Sequence, residues 1–458
     1  MAVNDTYESA LRPPGGPATP GSGRRRHQVA VLLLTNEGFR QTEGGVARYV
    51  HNILAARDGA ATSAEARGVE LSWHVAERAS CGGTDDAVFA AALRRHAPPG
   101  EVRYHSLADP RAHAWEVDHF EHCLALGASA AQVAITVAED TDSVLVVSGM
   151  SMFAMTARFL MRAADQLGID ATYVHMTHNP VLRPGGDAEL PETYADSVMG
   201  HLARSEPRVC VGWESFWMRE QYQQVYGIPD DKFLFARAGV PTGADKFRRL
   251  RPDPGLLRSL GVPTDRDLVV SWGRGVAEKG FELLIDAAHR AGDALLPVVL
   301  NPFPNPALRE HARDVGSPAV LLDGQDDQVL SALCQWPRTR CAAFLSEREA
   351  ASVTPIEAAL MSNGGGLVVV GVPAGVYPEL IEHGATGLIT ESREPGAVAD
   401  TLLAVRAMDD EARAEMSRTA HRRAVREHDF HTNWAHSFEE LLDRHLAVIG
   451  LPGFAPAP

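Results

Sequence analysis

The sequence predicts an α/β protein of two domains, each built around a parallel sheet. Three observations predict it. The chain has 458 residues, which is too long for one ordinary core and suits two domains of about 200 residues. Short continuous apolar runs, typical of strands buried on both faces of a parallel sheet, alternate with helical segments in both halves. A Gly/Pro-rich stretch at 237–243 separates the two series.

The first series predicts an N-terminal domain over 28–240. Residues 1–27 are rich in Pro, Gly and Ser, and we expect a disordered leader there. An apolar run at 29–34 predicts a strand, Gly44 and Gly45 follow in a loop, and 46–54 is a helical segment. Strand, Gly loop and helix form the phosphate-facing unit of doubly wound folds. The later elements expected here are strands at 143–147, 171–176 and 208–211 and a helix at 153–164.

The second series predicts a C-terminal domain over 241–429. Its first strand is expected at 267–272, and a long helical region is expected at 395–448, whose last part (about 430–450) would join the N-terminal domain. The remaining expected strands are 297–300, 319–322, 341–345 and 366–370. Ligands of such sheets bind outside the carboxyl ends of the strands, so we expect a site at a cleft between the two domains.

Composition limits the partners and the compartment. The net charge of −16 argues against nucleic acid or an anionic membrane as a partner, because either requires a basic face. No apolar run approaches the roughly 18 residues of a membrane span, and no signal peptide is expected. The five cysteines are scattered without a C-x-x-C, which favours reduced thiols in a cytoplasmic protein over disulfides or a zinc site.

The most informative motif runs from Ser346 to Ala359. It places Glu349 and Glu357 on either side of a predicted helix start, with Thr354 as the N-cap and Glu357 at the third helical position. Free helix amides would face phosphate, and the carboxylates would accept hydrogen bonds from sugar hydroxyls. The alternative is a capping box, in which Glu357 bonds only to the Thr354 amide.

A basic loop follows the first strand of the second domain. Arg274 and Lys279 flank a turn that leads into an amphipathic helix. A guanidinium fork and an ammonium point charge together suit a diphosphate, and the alternative is two solvated surface cations. A third motif, at 374–389, contains a Gly turn and a short helix.

The order of these pieces is more specific than any one of them. Gly-Arg-x4-Lys-Gly, then Ser-x2-Glu-x7-Glu-Ala, then Ala-Gly-x3-Glu-Leu-Ile-x2-Gly-x2-Gly-Leu-Ile resembles the retaining GT-B glycosyltransferases of family 4, the glycosyl transferases group 1 type. The resemblance covers most of residues 268–392. It implies the GT-B fold, in which two doubly wound Rossmann-like domains with parallel sheets face each other across a cleft.

The resemblance also implies a donor site for a nucleotide diphosphate-sugar. Arg274 and Lys279 would clamp the diphosphate, Glu349 would bind the sugar and Glu357 the ribose. The amides of Ala351, Ser352 and Val353 would support sugar and phosphate, and Gly44 and Gly45 would approach the phosphate from the first domain. Anomeric configuration would be retained, and neither metal nor cofactor is implied. The acceptor would be a small molecule or lipid-linked, with secondary metabolism as a candidate source.

Several positions depart from the family pattern. Ser148 stands at a strand end where the family commonly has a donor-contacting His, whereas His178 resembles a second cleft-lining position on the acceptor or sugar side. The turn at 301–306 lacks the usual glycines near the expected base, so the nucleotide is not predicted. Two alternatives therefore stay open: a degenerate nucleotide-sugar-binding protein, or another GT-B enzyme such as an epimerase or phosphorylase. Asp140 and Asp142 spell a metal-binding Asp-x-Asp, but we interpret them as solvated loop acids.

Overall fold

The computed structural model describes residues 25–36, 38–40, 45–78, 86–108, 119–176, 191–251, 253–324 and 327–451. The chain divides into two compact units: Met1–Trp213 with Gln221–Ala236 and Trp434–Pro458, and Glu214–Glu220 with Arg237–Asn433. The assignment of 214–220 to the second unit was not predicted. Residues 1–24 of the expected leader lie outside the described residues, and His27, which was assigned to the leader, belongs to the first strand.

The first unit contains a seven-stranded sheet in the order β3-β2-β1-β4-β5-β6-β7. All of its neighbouring strands pair in parallel. The strands are β1 (His27–Thr35), β2 (Val69–Arg78), β3 (Val102–Leu107), β4 (Ser143–Ser148), β5 (Ala171–Met176), β6 (Val209–Trp213) and β7 (Phe233–Phe235).

Helices pack around this sheet and bury its apolar runs. They are α1 (Gly45–Ala55), α2 (Arg57–Ala66), α3 (Asp86–His96), α4 (His119–Glu139), α5 (Ala154–Leu167), α6 (Pro191–Ser205) and α7 (Phe216–Tyr226), of which α7 belongs to the first unit only from Gln221 onwards. By length and apolarity alone, α4 could cross a membrane over Glu121–Glu139, which the sequence reasoning did not anticipate. Leu126, Ala130 and Ala134 on α4 are nevertheless buried, as expected of a core helix.

The second unit contains a six-stranded sheet in the order β10-β9-β8-β11-β12-β13. Its strands are also parallel. They are β8 (Leu268–Trp272), β9 (Leu296–Asn301), β10 (Val320–Asp323), β11 (Thr339–Phe344), β12 (Val368–Gly371) and β13 (Leu388–Ile389).

The helices of the second unit follow its strands, and the last helix of the chain returns to the first unit. They are α8 (Pro254–Ser259), α9 (Phe281–Arg290), α10 (Pro306–Val315), α11 (Asp327–Cys334), α12 (Thr354–Met361), α13 (Tyr377–Leu380), α14 (Pro395–Ala407) and α15 (Asp410–Glu427), followed by α16 (Phe430–Val448). The α/β architecture with two parallel sheets is therefore confirmed. The facing of the two sheets across a cleft stays a prediction.

Candidate functional site

The candidate site residues of the second unit follow the two strands at which the strand order reverses. In the order β10-β9-β8-β11-β12-β13, β8 and β11 are neighbours although they are not consecutive in the chain. Connections from such neighbours leave in opposite directions and open a crevice at their carboxyl ends. The basic loop follows β8 and the Glu349 loop follows β11, so the fold brings these two sequence motifs together.

Glycine makes the close approach of these loops possible. Gly280 has a φ of +70°, and a Cβ there would lie 2.4 Å from the Leu345 carbonyl oxygen. Next to this contact, the Glu347 amide donates a 2.9 Å hydrogen bond to the Glu278 carbonyl and so joins the two loops. A side chain at Gly280 would therefore both strain the backbone and push the loops apart.

Lys279 and Glu349 form an ion pair across these loops. The Lys279 Nζ atom lies 2.5 Å from Glu349 Oε2, and the side chains are 23% and 15% exposed. Lys279 ends a short 3-10 turn, Ala277–Lys279, and Arg274 in the same loop is exposed. The site thus presents one exposed guanidinium beside a partly buried ammonium–carboxylate pair.

The third motif fixes the backbone of Glu349. Gly375 has a φ of +54°, and a Cβ there would lie 2.2 Å from the Glu349 carbonyl oxygen, which accepts a 2.8 Å hydrogen bond from the Val376 amide. The Tyr377 hydroxyl donates to Ser346 Oγ at 3.0 Å. Burial, with a smaller effect from the Glu349 charge, raises the pKa of Tyr377, so this hydroxyl stays protonated. The motif therefore supports the acidic loop.

The capping box, which was the alternative for this motif, does not form, and Thr354 is the first helical residue and not the N-cap. Helix α12 is preceded by Val353 as its N-cap residue, and no side chain caps it. Instead, Glu357 Oε1 accepts a hydrogen bond from Lys246 Nζ at 2.6 Å, and Oε2 accepts one from Trp272 Nε1 at 3.4 Å. The carboxylate side chain is 4% exposed, and the Lys246 side chain 13%. Glu357 bonds to these distant residues and not to the Thr354 amide, because the Lys246 ammonium neutralises the buried charge of the carboxylate.

Sequence reasoning missed Lys246. It lies in a 3-10 turn, Asp245–Phe247, whose backbone is anchored because the Lys246 carbonyl accepts a 2.6 Å hydrogen bond from Ser331 Oγ. Asp327 lies 3.7 Å from the Lys246 ammonium but is 46% exposed. No local pattern marks this lysine, which follows the Gly/Pro-rich stretch as one more polar residue.

The amide donors predicted at 351–353 lie between Glu349 and α12. Ala351 and Val353 are partly buried. Ser352 is 3% exposed, and its hydroxyl lies 3.0 Å from that of Thr354. Their contact with sugar or phosphate stays a prediction.

Residues 214–220 contact the same motifs of the second unit. Ser215 Oγ donates to the Ala350 carbonyl at 2.6 Å. The Glu379 carboxylate accepts hydrogen bonds from the amides of Phe216 and Trp217 at 2.9 and 2.7 Å, which places an anion at the first turn of α7. Glu379 in the third motif is therefore structural.

A second residue that sequence reasoning missed is Asn301, the last residue of β9. It is 2% exposed, and neither its amide nitrogen nor its carbonyl oxygen has a hydrogen-bond partner among the described residues. A Cβ on Gly275, in the basic loop, would lie 3.3 Å from this oxygen. The position was predicted only as part of a turn without glycines.

The predicted positions of the first unit are described in part. Gly44 and His178 lie outside the described residues, and Gly45 is the first residue of α1. Ser148 ends β4 and is fully buried, with its hydroxyl donating to the Met150 carbonyl at 3.3 Å. Asp142 accepts a 2.8 Å hydrogen bond from the Gln28 amide, so it helps to position the start of β1. Among the described residues, no three His, Cys, Asp or Glu side chains group as metal ligands would.

Comparison with known proteins agrees with this fold. Residues 256–423 match the family described as glycosyl transferases group 1. The chain is 26% identical over 285 residues to the alpha-maltose-1-phosphate synthase of Mycolicibacterium smegmatis, covering 58% of this chain and 70% of that protein.

Two solved structures align along almost the whole chain. Sucrose-phosphate synthase of Thermosynechococcus elongatus aligns with a TM-score of 0.68 and 17% identity over 92% of this chain and 100% of that one. The Anabaena protein HepE in complex with UDP and glucose aligns with a TM-score of 0.62 and 18% identity over 91% and 99%. At these identities the structural likeness shows the fold. Residues 256–423 therefore match the glycosyl transferases group 1 family, and the two α/β units with parallel sheets have the fold of these GT-B structures.

Proposed function

We propose that the protein is a retaining, metal-independent glycosyltransferase of the cytoplasm. It moves a sugar from a nucleotide diphosphate-sugar to a small-molecule or lipid-linked acceptor, for which secondary metabolism is a candidate source. The observation that carries this proposal is the contact of Lys279 with Glu349 between the two loops at the strand-order reversal, with Arg274 exposed in the same loop as Lys279. Two cations suit a diphosphate, and a neighbouring carboxylate suits sugar hydroxyls.

These residues support a simple chemistry. The acceptor hydroxyl oxygen bonds to the anomeric carbon while the bond from that carbon to the diphosphate oxygen breaks. The acceptor proton passes to a diphosphate oxygen, so no protein base is required. Arg274 and Lys279 stabilise the negative charge that develops on the leaving diphosphate. An ammonium has three donors, so Lys279 can bond to Glu349 and to a phosphate oxygen at once.

A second candidate function is nucleotide-sugar binding without transfer. The observation that favours it is Ser148, which replaces the His common in the family and is fully buried. A buried hydroxyl that already donates to the Met150 carbonyl is poorly placed to contact a donor sugar. The two functions differ in turnover and share donor binding.

A thermal-shift screen of UDP-, GDP-, ADP- and dTDP-glucose tests both functions. A donor present at 100 times its Kd should add about 2.7 kcal/mol to the free energy of unfolding. Release of nucleoside diphosphate, with the same anomeric configuration in donor and product by NMR, would support retaining transfer. Binding without release of nucleoside diphosphate, even with a panel of sugars and sugar phosphates, would favour the second function. No shift with any nucleotide-sugar would count against both.

A further inference from the structure

We propose that Lys246 is a positioning residue for ribose recognition, which holds the Glu357 carboxylate in the orientation that reads the ribose hydroxyls. This inference rests on the proposed donor site. Lys246 lies 111 residues from Glu357 in sequence, yet their side chains meet at 2.6 Å in a region where both are largely buried.

A carboxylate can accept hydrogen bonds from a protein donor and from a ligand at the same time. A carboxylate offers about four acceptor directions on its two oxygens. Lys246 takes one direction on Oε1, and Trp272 takes one on Oε2. Two neighbouring ribose hydroxyls are two donors, and hydrogen bonds at both oxygens fix the plane of the carboxylate that would accept them.

The charge of Lys246 matters as much as its hydrogen bond. A carboxylate that is 4% exposed loses most of its hydration, and a neutral partner would not offset that cost. The ammonium is itself held in place, because the Lys246 carbonyl accepts from Ser331 Oγ and Phe247 is buried beside it. A rigid cation under the carboxylate suits a fixed recognition geometry.

A purely structural ion pair predicts a different result. It would affect the melting temperature alone, whereas a positioning residue would also change the discrimination between ribose and deoxyribose. The test therefore measures the ratio of the Kd for 2′-deoxy-UDP to the Kd for UDP by calorimetry, with ADP, GDP and their 2′-deoxy forms in parallel. A charge-assisted hydrogen bond to ribose predicts a ratio of about 10 to 100 in the wild-type protein.

The variants separate the roles. Glu357→Gln and Lys246→Met should both lower this ratio to less than about threefold, since both lose the oriented carboxylate. Lys246→Arg should retain most of it. Lys279→Met is the matched control: it should weaken UDP and 2′-deoxy-UDP binding equally and leave the ratio unchanged.

Folding is controlled by the double variant Lys246→Met/Glu357→Gln. It should recover the melting temperature that Lys246→Met loses, because it removes the unpaired buried charge, but it should not recover the ratio. Should Lys246→Met fail to fold, Lys246→Gln serves in its place. A folded Lys246→Met or Lys246→Gln with the wild-type ratio would overturn the proposal.

The outcomes also separate this proposal from the proposed function. If the wild-type protein binds none of the nucleotides, the donor site itself is wrong, and the proposal for Lys246 fails with it. If it binds them with a ratio near one that Glu357→Gln does not change, the donor site stands, but Glu357 does not read ribose and Lys246 has no such role.

Discussion

Removing the Lys279 ammonium and removing the Arg274 guanidinium should have the same effect on rate but different effects on stability. If both cations stabilise the leaving diphosphate, Lys279→Met and Arg274→Met should each lower kcat/KM by roughly 10²–10³, the loss expected for one positioned donor at a developing anion. Methionine removes the charge and keeps the length of the lysine stem, so the comparison isolates electrostatics.

The stability difference follows from the partners of the two cations. Lys279 bonds to Glu349 at 2.5 Å, and Glu349 is only 15% exposed. Loss of the Lys279 ammonium should lower the free energy of unfolding by about 1.5–3 kcal/mol, the range for a hydrogen bond to a charged group. Arg274 is exposed, and no described carboxylate forms an ion pair with it. Its loss should change the free energy of unfolding by less than about 0.5 kcal/mol.

Scanning calorimetry and steady-state kinetics together test this reasoning. For a unit of roughly 200 residues, the loss at Lys279 corresponds to a melting temperature about 3–12 °C lower. The double variant Lys279→Met/Glu349→Gln should regain most of the stability but not the rate. Wild-type kcat/KM in Lys279→Met would refute the diphosphate role. Recovery of both rate and stability in the double variant would show that Lys279 acts only as a counter-ion for Glu349.

Three further predictions concern metal, the first-unit loop and pH. Incubation with EDTA should leave the transfer rate unchanged, and loss of activity with rescue by Mn²⁺ would contradict metal independence. Gly45→Val should lower kcat strongly while the Kd for the nucleotide changes by only a few-fold, because bulk there opposes close backbone approach to phosphate; an active variant would contradict this. Burial lowers the pKa of His445 to about 3, whereas an unfolded chain binds that proton at about pH 6.5. The unfolded state therefore binds more protons between these values, and stability should fall by about 1.4 kcal/mol per pH unit for this group as pH decreases from 6.5 towards 3. His445→Gln should reduce that slope by one proton in urea titrations at several pH values, and an unchanged slope would refute the assignment.

The strands that were predicted correctly from the sequence are made of apolar residues, whose side chains can be buried without a hydrogen-bond partner. Strand β1 contains the run from Val29 to Leu34, and all six of these residues are almost fully buried. Strand β2 was not predicted, because Glu70, Ser72, His74 and Glu77 interrupt its apolar pattern. Two of these polar residues are buried through contacts that only the folded chain supplies.

His74 and Glu77 show the reason. His74 Nδ1 lies 3.1 Å from His105 Nε2 on the neighbouring strand. Glu77 is fully buried and accepts hydrogen bonds from the Phe39 amide at 2.8 Å and the Tyr104 hydroxyl at 2.9 Å. A single sequence cannot show that a polar residue will find its partner across a sheet, so such strands resemble surface segments until the fold is known.

The same limit applied within the candidate site. The family resemblance implied that Lys279 and Glu349 belong to one donor site, and the structure places the two side chains in contact. The helix-start pattern offered a local cap as the alternative for Glu357, and this alternative is wrong, because Lys246 and Trp272 bond to its two oxygens. Local patterns identified the residues but did not identify the partners that reach them from elsewhere in the chain.

The two carboxylates of the Glu-x7-Glu motif each have a lysine partner, and this resolves a conflict between the charge of the chain and its proposed ligand. A protein of net charge −16 repels an anion at long range. At physiological salt, however, charges beyond about 8 Å are largely screened, so the local balance decides binding. Lys246 and Lys279 offset the charges of Glu357 and Glu349, whereas Arg274 is exposed and forms no ion pair with a described carboxylate. Added salt should therefore weaken the exposed Arg274 contribution more than that of the partly buried Lys279, and nucleotide affinity should depend on salt less steeply in Arg274→Met than in the wild-type protein.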